Sequence, residues 1–428
     1  MKLKKGIIIL WVLFGISLFT TLILLKESSR DSSDYGEREA EPSVLEVYAW
    51  YDEVETFSTL AEGFMEKYPD ITVNVHYLPN NETTQSFQII LNGDEAVDVI
   101  AVATAAGGAQ LIEKGQLADL REYLKNVDLR GLGSLMDFLD SEEGLYMLPY
   151  RNSAWVVYYN KKIFDEQGIP YPEGDWTWEE YADLAERLTN PQRGWYGSLN
   201  YESTWWRVPV RTAGAEDPME EEDLNLFAEA AKWNYSLTYE KSAAMPYNRL
   251  TDVGSKDYIR RFLGGEAAMM YNGEWCLSML RERMDSEYPD FQYDVAKLPC
   301  WDEEENYAIG SPAVLMVAEK SRKKEEAVLF LEYACGEEGA KKIAAKGFLP
   351  AWNSEEVRQV FQDSISMPEH TEYFFTEEEI SHFPATTDYT ISMNLLHDNI
   401  WSYFMKEISL ETALKNYKEQ LAERMVTP

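Results

Sequence analysis

The chain has 428 residues, 45% of them hydrophobic, and a formal net charge of −36 from 75 acidic and 39 basic side chains. This length predicts more than one domain or lobe, because a single hydrophobic core stops growing well below it. The acidic residues are spread along the whole chain, and a negative surface repels the phosphates of nucleic acids and anionic lipids. We therefore expect a globular protein that binds no nucleic acid.

The N-terminus predicts a membrane-targeting segment. Lys2, Lys4 and Lys5 precede a run without charges from Gly6 to Leu25, and about 20 apolar residues can span a bilayer as a helix. The apolar region of a cleaved signal peptide is usually shorter than this. We expect residues 1–25 to be a signal anchor, with a cleaved signal peptide as the alternative.

The basic flank of this segment is expected to stay in the cytoplasm. The rest of the chain would then be extracytoplasmic, tethered to the membrane through the N-terminal helix, or secreted if the signal is cleaved. Residues 26–43 are polar and charged without apolar periodicity, so they predict a flexible linker. The first cysteine is Cys276, so no lipid-modified cysteine follows the apolar run.

Motifs for catalysis and metal binding are missing from the sequence. Cys276, Cys300 and Cys335 are odd in number and lack C-x-x-C spacing, so we expect buried thiols rather than disulfides or a zinc site. The histidines form no H-E-x-x-H motif, and neither G-x-S-x-G nor G-x-x-x-x-G-K-[ST] occurs. The sequence therefore predicts no catalytic residue, no metal site and no cofactor.

Strand and helix signals alternate after the linker. The segment Val44–Tyr51 predicts a strand, the segment from Glu55 predicts an amphipathic helix, and Ile71–Leu78 alternates as a second strand. Such alternation is typical of an α/β protein with a largely parallel sheet. Ligands of these sheets bind beyond the carboxyl ends of the strands.

This rule selects three segments as candidate binding sites: Trp50 with Tyr51 and Asp52, Thr104 to Gly108, and Asn272 to Trp275. In the last of them, a buried strand from Ala267 to Tyr271 is predicted to turn at Gly273 into a helix that begins near Glu274. Trp275 would then lie at the mouth of the sheet. The alternative is a core tryptophan that covers the sheet edge.

Four segments carry sequence signatures in a fixed order: Val97–Thr104, Leu145–Thr189, Phe262–Trp275 and Phe330–Ser354. The third contains G-x-A-A-M followed by G-x-W, and in the second Thr177 and Glu180 have the spacing of a capping box. Together they resemble the family 1 extracellular solute-binding proteins, the carbohydrate receptors of ABC importers similar to maltose-binding protein.

The resemblance implies an α/β protein with the two-lobe, type II periplasmic-binding-protein fold and a ligand cleft between the lobes. By analogy, lobe 1 takes residues 44–153 and 309–350, and lobe 2 takes residues 154–308 and 351–428. Binding would close the lobes by a hinge motion. Sugars present apolar C–H faces and hydroxyls, so such a cleft needs aromatic plates with a few polar groups.

The sheet rule and the resemblance together give a set of candidate ligand-binding residues. Trp275 matches the stacking tryptophan of the family, and Arg151 lies on the first predicted crossing between the lobes. The whole set is Trp50, Tyr51, Asp52, Thr104, Arg151, Asn152, Tyr201, Glu202, Trp205, Trp206, Trp275 and Trp352.

Three functions from different classes fit these features. The preferred one is a receptor that captures a sugar or oligosaccharide and delivers it to the permease subunits of an ABC importer. The alternatives are a membrane-tethered solute sensor that signals to a partner and, with less support, a carbohydrate-active enzyme. Most acidic residues lie at predicted helix starts and loops, which favours a neutral or weakly acidic sugar over a polyamine.

Overall fold

The computed structural model describes residues 43–79, 83–136, 139–141, 144–199, 205–250, 257–301, 307–310, 312–375, 380–381 and 386–426. The predicted anchor at residues 1–25, and the predicted linker up to residue 42, lie outside these ranges. Within the described ranges, no helix is both long enough and apolar enough to cross a bilayer.

Strands and helices alternate along the described chain, as the α/β pattern predicts. In chain order the strands are β1 (Ser43–Trp50), β2 (Ile71–Leu78), β3 (Val99–Val102), β4 (Asp140–Ser141), β5 (Gly144–Leu145), β6 (Leu148–Arg151), β7 (Trp155–Asn160), β8 (Tyr196–Ser198), β9 (Ala267–Gly273), β10 (Tyr293–Lys297), β11 (Ala308–Ile309), β12 (Ala313–Val317) and β13 (Ile380–Ser381).

The α-helices are numbered in the same way, and short 3-10 turns connect several of them to strands. They are α1 (Val54–Lys67), α2 (Thr83–Asn92), α3 (Ala105–Glu113), α4 (Lys161–Gln167), α5 (Trp178–Leu188), α6 (Val208–Arg211), α7 (Glu221–Tyr235), α8 (Tyr247–Leu250), α9 (Asp257–Leu263), α10 (Cys276–Glu287), α11 (Lys324–Cys335), α12 (Glu337–Ala344), α13 (Glu355–Ser364), α14 (Thr387–Phe404) and α15 (Leu410–Val426).

Five of the described strands form the first sheet, in the order β2-β1-β3-β12-β6. β1 is parallel to β2 and β3, whereas β12 runs antiparallel to both β3 and β6. Phe57, Leu60 and Phe64 recur at helical spacing along α1 and are fully buried in the core of this sheet. We call this sheet and the helices packed on it lobe 1.

Four of the described strands form the second sheet, in the order β10-β7-β9-β8. β7 lies antiparallel between β10 and β9, and only β8 is parallel to its neighbour β9. The prediction of a largely parallel sheet is wrong here, because the apolar pattern of a strand reports burial and not the direction of its neighbours. We call this sheet and its helices lobe 2.

Lobe 2 carries a helical layer with a hydrophobic core of its own. Trp206, Phe227, Tyr247 and Phe404 are buried there, and the rings of Tyr247 and Phe404 stack with their centroids 4.8 Å apart. This core holds α7, α14 and α15 together. It thereby fixes the position of α14, whose first turns border the space between the lobes.

The chain passes between the two sheets at short connections. Arg151 ends β6 in the first sheet, and Trp155 begins β7 in the second. The return passage joins β11 to β12 between Ile309 and Ala313. These passages lie near the predicted lobe boundaries. The assignment of each residue to one lobe or the other stays a prediction.

The three cysteines are buried thiols, as the sequence predicts. Burial raises the pKa of the thiols of Cys276 and Cys335 well above the ordinary value. Thiolates are the reactive form of cysteine, so these side chains are inert small hydrophobes.

The predicted capping box at the start of α5 is confirmed. Thr177 Oγ1 accepts the backbone N–H of Glu180 at 3.2 Å, and Glu180 Oε2 accepts the backbone N–H of Thr177 at 2.8 Å. We expect Thr177→Ala to lower the free energy of unfolding by about 1 kcal/mol, because an N-terminal acceptor is lost. Denaturation in urea measures this, and Thr177→Ser, which keeps the hydroxyl, is the matched control.

Candidate ligand-binding cleft

A cleft with a volume of about 1080 Å³ separates the two lobes. Lobe 1 contributes the residues that follow β1 and β3, and lobe 2 contributes the ends of β7 and β9, the first part of α10 and the start of α14. Each of the three segments selected by the sheet rule therefore supplies lining residues.

The structure brings together most of the predicted binding residues that it describes. Those that line the cleft are Trp50, Asp52, Thr104, Arg151, Asn152, Trp205 and Trp275. Tyr51 does not line it; this residue lies on the 3-10 turn after β1, and its side chain is 60% exposed. Tyr201 and Glu202 lie outside the described residues.

Trp206 and Trp352 do not line the cleft, and the structure shows both of them in packing contacts. Trp206 is 1% exposed in the helical core of lobe 2, because consecutive residues on a 3-10 turn point in different directions. Trp352 packs on both lobe cores, and its indole covers Gly131, where an added Cβ would lie 2.1 Å from the ring.

Three tryptophans form an aromatic wall on the lobe 2 side of the cleft. The ring centroid of Trp155 lies 5.5 Å from that of Trp205 and 5.1 Å from that of Trp275. In each pair the two ring planes make an angle of 85°. Tyr258 continues the wall beside Trp205, with centroids 5.5 Å apart. Edge-to-face contacts of this kind are the preferred aromatic geometry, so they fix the orientation of the indoles.

Sequence reasoning missed Trp155 because it did not predict the direction of β7 in the second sheet. The rule looks only beyond the carboxyl ends of strands, and Trp155 stands at the amino end of β7. Because β7 is antiparallel to β9, Trp155 pairs with Gly273 at the carboxyl end of β9. An antiparallel pairing of these strands, had it been predicted, would have placed Trp155 at the cleft.

Gly273 is needed for close packing rather than for a turn. It ends β9 without the left-handed conformation that favours glycine, and an added Cβ would lie 1.9 Å from Cζ3 of Trp275. The helix α10 then begins at Cys276, with Trp275 at its N-cap position, rather than near Glu274 as predicted. The indole of Trp275 therefore folds back over the glycine, half-buried at the cleft.

We expect Gly273→Ala to lower the free energy of unfolding by about 1–3 kcal/mol, because the new methyl group collides with the indole of Trp275. In a Trp275→Ala background the same change should cost almost nothing, since the colliding ring is gone. Denaturant titrations of the four proteins in this cycle measure the difference. An equal cost in both backgrounds would show that the backbone of Gly273, and not the indole, requires glycine.

Arg151 joins two glutamates that come from different lobes. Its Nη1 donates to Glu53 Oε1, which follows β1, and its Nη2 donates to Glu274 Oε1, which follows β9, at 2.6 Å. All three side chains are more than nine-tenths buried, and the guanidinium lies 4.8 Å from the ring centroid of Phe348. We call Glu53, Arg151 and Glu274 the charge triad.

The charge triad contains two carboxyl groups and only one guanidinium group. Burial raises the pKa of Glu53 and of Glu274, and Arg151 lowers these pKa values only in part. Burial also acts to lower the pKa of Arg151, but the two carboxylates outweigh it and hold the arginine protonated. Sequence reasoning missed both glutamates, since it assigned the acidic residues to helix starts and loops.

Two further arginines border the lobe 2 wall of the cleft. Arg211 Nη1 donates to the carbonyl of Ala215 at 2.7 Å and Nη2 to the hydroxyl of Tyr389 at 2.5 Å. Burial lowers the pKa of Arg207 to about 10, with Arg211 adding to this effect and Tyr389 opposing it. The guanidinium group of Arg207 therefore stays charged at neutral pH, and burial likewise lowers the pKa of Arg211.

The model of the bacterial extracellular solute-binding protein family matches residues 49–341. The chain belongs to this family. A relative, the sn-glycerol-3-phosphate-binding periplasmic protein UgpB of Escherichia coli (strain K12), is 24% identical over 68% of this chain and 70% of its own length. A putative binding protein of Brucella abortus (strain 2308) is also 24% identical, over 71% of this chain and 74% of its own.

Solved structures of solute-binding proteins share the fold. A sugar transporter protein of Rhizobium etli in an open conformation matches with a TM-score of 0.75 and 22% identity, over 89% of this chain and 99% of its own. An ABC substrate-binding protein of Listeria monocytogenes, in complex with cycloalternan, matches with a TM-score of 0.76 and 23% identity over 90% and 99%. The predicted family and two-lobe α/β fold are confirmed.

Family membership fixes the general role. The members are extracellular or periplasmic proteins that bind small solutes for ABC transporters, and they are not enzymes. In this solute-binding protein the lobes also touch each other directly, where Glu113 of α3 accepts the backbone N–H and the hydroxyl of Thr387 at 3.2 and 2.7 Å. This contact connects lobe 1 to the start of α14, next to the lining residue Tyr389.

Proposed function

We propose that this solute-binding protein captures a sugar or oligosaccharide in the cleft and delivers it to the permease subunits of an ABC importer. The observation that carries the proposal is the aromatic wall of Trp155, Trp205 and Trp275, with Trp50 on the lobe 1 side. Indole faces suit the apolar C–H faces of sugar rings. Asn152 and the charged groups beside it supply partners for hydroxyls.

The size of the cleft supports a ligand larger than one sugar ring. Its volume of about 1080 Å³ slightly exceeds the range of about 300–1,000 Å³ found for small-molecule pockets. Solved structures of the same fold were obtained with cycloalternan, with alpha-D-tagatose and with D-mannitol. Polyhydroxylated ligands of several sizes therefore occur in this fold.

The proposal includes attachment to the membrane through residues 1–25, with the binding lobes outside the cytoplasm. It rests on the length of the charge-free run from Gly6 to Leu25, which exceeds that of an ordinary signal peptide. N-terminal sequencing of the mature protein tests it. A mature start between residues 27 and 43 would replace the anchor with a cleaved signal peptide.

A thermal-shift screen of the full-length protein tests the sugar assignment. The solutes are mono- and oligosaccharides, amino acids, polyamines and sn-glycerol 3-phosphate. A ligand at 100 times its dissociation constant stabilises the folded state by about 2.7 kcal/mol, which raises the melting temperature measurably. Stabilisation by a sugar supports the proposal, whereas stabilisation by another class and by no sugar overturns it.

A further inference from the structure

We propose that the cleft selects sugars that carry a protonated amino group, and that the carboxylate of Glu274 recognises this amine. This proposal replaces the sequence-based expectation of a neutral or weakly acidic sugar, because Glu53 and Glu274 are buried at the cleft rather than exposed at helix starts and loops. The inference rests on the proposed function and narrows the class of sugar. It depends on three observations: the charge of the triad, the hydrogen bonds of Glu274, and the rings next to it.

The first observation is the excess negative charge of the charge triad. Glu53 and Glu274 share the single guanidinium of Arg151, and all three side chains line the cleft while being more than nine-tenths buried. With both carboxylates ionised, the triad has a net charge of −1 away from bulk water. An uncompensated buried charge is costly, and a cationic ligand group would neutralise it.

The second observation is an unused hydrogen-bond acceptor. Glu274 Oε1 is paired with Arg151, whereas Oε2 is buried and has no partner at full hydrogen-bond geometry among the described residues; the backbone N–H of Trp275 is close enough to help lower the pKa of the carboxyl. A buried carboxylate oxygen without a donor is destabilising. A sugar hydroxyl would supply the hydrogen bond alone, whereas an ammonium group supplies the hydrogen bond and the missing positive charge.

The third observation is the aromatic surface beside this carboxylate. Trp275 is the next residue in the chain, and Trp155 contacts it edge to face with centroids 5.1 Å apart. Cations are attracted to the faces of indole rings, most strongly where water is displaced. A ring that stacks on this wall therefore brings an amino substituent close to the indole faces and the carboxylate of Glu274, which attract a cation and have to outweigh the repulsion from Arg207 and Arg211 in the same cleft.

The pKa values of the triad agree with this assignment. Burial raises the pKa of Glu53 and Glu274 above the ordinary glutamate value, which disfavours their ionised forms. A bound ammonium group would favour the ionised carboxylates and so lower these pKa values. At a pH near the raised pKa values, binding of the amine should thus be accompanied by proton release from the carboxyls, which a neutral sugar would not cause.

Isothermal titration calorimetry of the full-length protein tests the inference with matched sugars. Glucosamine, N-acetylglucosamine and glucose are compared, as free sugars and as β-1,4-linked oligomers, together with the amino and hydroxyl forms of any other sugar that stabilises the protein. We expect the amino form to bind about ten- to a hundredfold more tightly than its neutral counterparts. Titrations in two buffers of different ionisation enthalpy detect the released proton.

The variant Glu274→Gln tests whether Glu274 is the residue that recognises the amine. The change keeps the shape of the side chain and leaves Arg151 paired with Glu53, so we expect a folded protein that binds neutral sugars but has lost the preference for the amine. Glu287→Gln is the matched control, because Glu287 is exposed on the same helix α10 and does not line the cleft. This control should keep the full preference.

The possible failures can be told apart. If a neutral sugar binds as tightly as its amino form, the amine inference is overturned while the sugar-binding function stands. If Glu274→Gln retains the preference, the recognition by Glu274 is overturned. If only a solute that is not a sugar binds, the proposed function itself fails, and the inference fails with it.

Discussion

Trp275→Ala is expected to weaken sugar binding by about 2 kcal/mol or more, roughly thirtyfold, while the melting temperature stays close to that of the parent. The indole is half-buried at the cleft and touches Trp155 only edge to face, so its loss leaves the core of lobe 2 intact. It would remove a flat surface on which a sugar ring can stack. Calorimetric titration with the sugar that stabilises the parent measures the loss.

Trp206→Ala is the matched control, since Trp206 is also a lobe 2 tryptophan but is 1% exposed in the helical core. We expect this variant to lose about 3–5 kcal/mol of folding stability and to bind the sugar normally at temperatures where it is folded. The opposite result would be a Trp275→Ala variant that melts at a much lower temperature than the parent yet binds the sugar normally while folded. It would show that Trp275 is a core residue and not a ligand-binding residue.

The sequence could locate much of the cleft, because the information is local at those positions. Trp50 and Asp52 follow a strongly patterned strand, and Trp275 follows a buried strand in a G-x-W motif, so the sheet rule finds them without knowledge of the rest of the fold. The capping box of Thr177 and Glu180 is equally local, since its partners are three residues apart.

What the sequence could not show depends on contacts between distant segments. The place of Trp155 follows from the antiparallel pairing of β7 with β9, and the periodicity of a buried strand does not report direction. The burial of Glu53 and Glu274 depends on Arg151, which is 98 residues from one and 123 from the other. Sequence reasoning found Arg151 but had no means of finding its partners.

Trp205 and Trp206 show that the sequence cannot distinguish a cleft residue from a core residue when the two are adjacent. Both are buried and adjacent on one 3-10 turn, yet one lines the cleft and the other fills the helical core. Their sequence environment is nearly the same, and only the position of the helical layer around α7 and α14 separates them. Single-residue assignments in such a turn therefore need the tertiary structure.

Replacing Arg151 with methionine is expected to lower the free energy of unfolding by about 3–5 kcal/mol, because Glu53 and Glu274 would stay buried without the cation that pairs with both of them. Methionine retains an apolar side chain of similar length, so packing against Phe348 is largely kept. Denaturant titration at neutral pH measures the loss.

The loss should depend on pH in a defined direction. Burial raises the pKa of both glutamates in the folded protein, so their contribution to stability is fully present below the ordinary glutamate pKa and declines as pH rises through the raised values. Without Arg151, which acts to lower these pKa values, the decline becomes steeper. The deficit of the variant should therefore be largest near neutral pH and smaller at about pH 4–5.

A compensating variant distinguishes the contribution of charge from that of packing to the stability lost in Arg151→Met. Arg151→Met combined with Glu53→Gln and Glu274→Gln removes the whole charge triad, so most of the lost stability should return and the pH dependence should disappear. Arg130→Met is the control for loss of an arginine, since Arg130 pairs with Asp128 on the surface with 91% of its side chain exposed. It should leave the free energy of unfolding almost unchanged, because an exposed ion pair contributes little to stability. If the compensating variant stays as unstable as Arg151→Met, the loss does not come from the unpaired carboxylates, and the account of the triad by its charge is wrong.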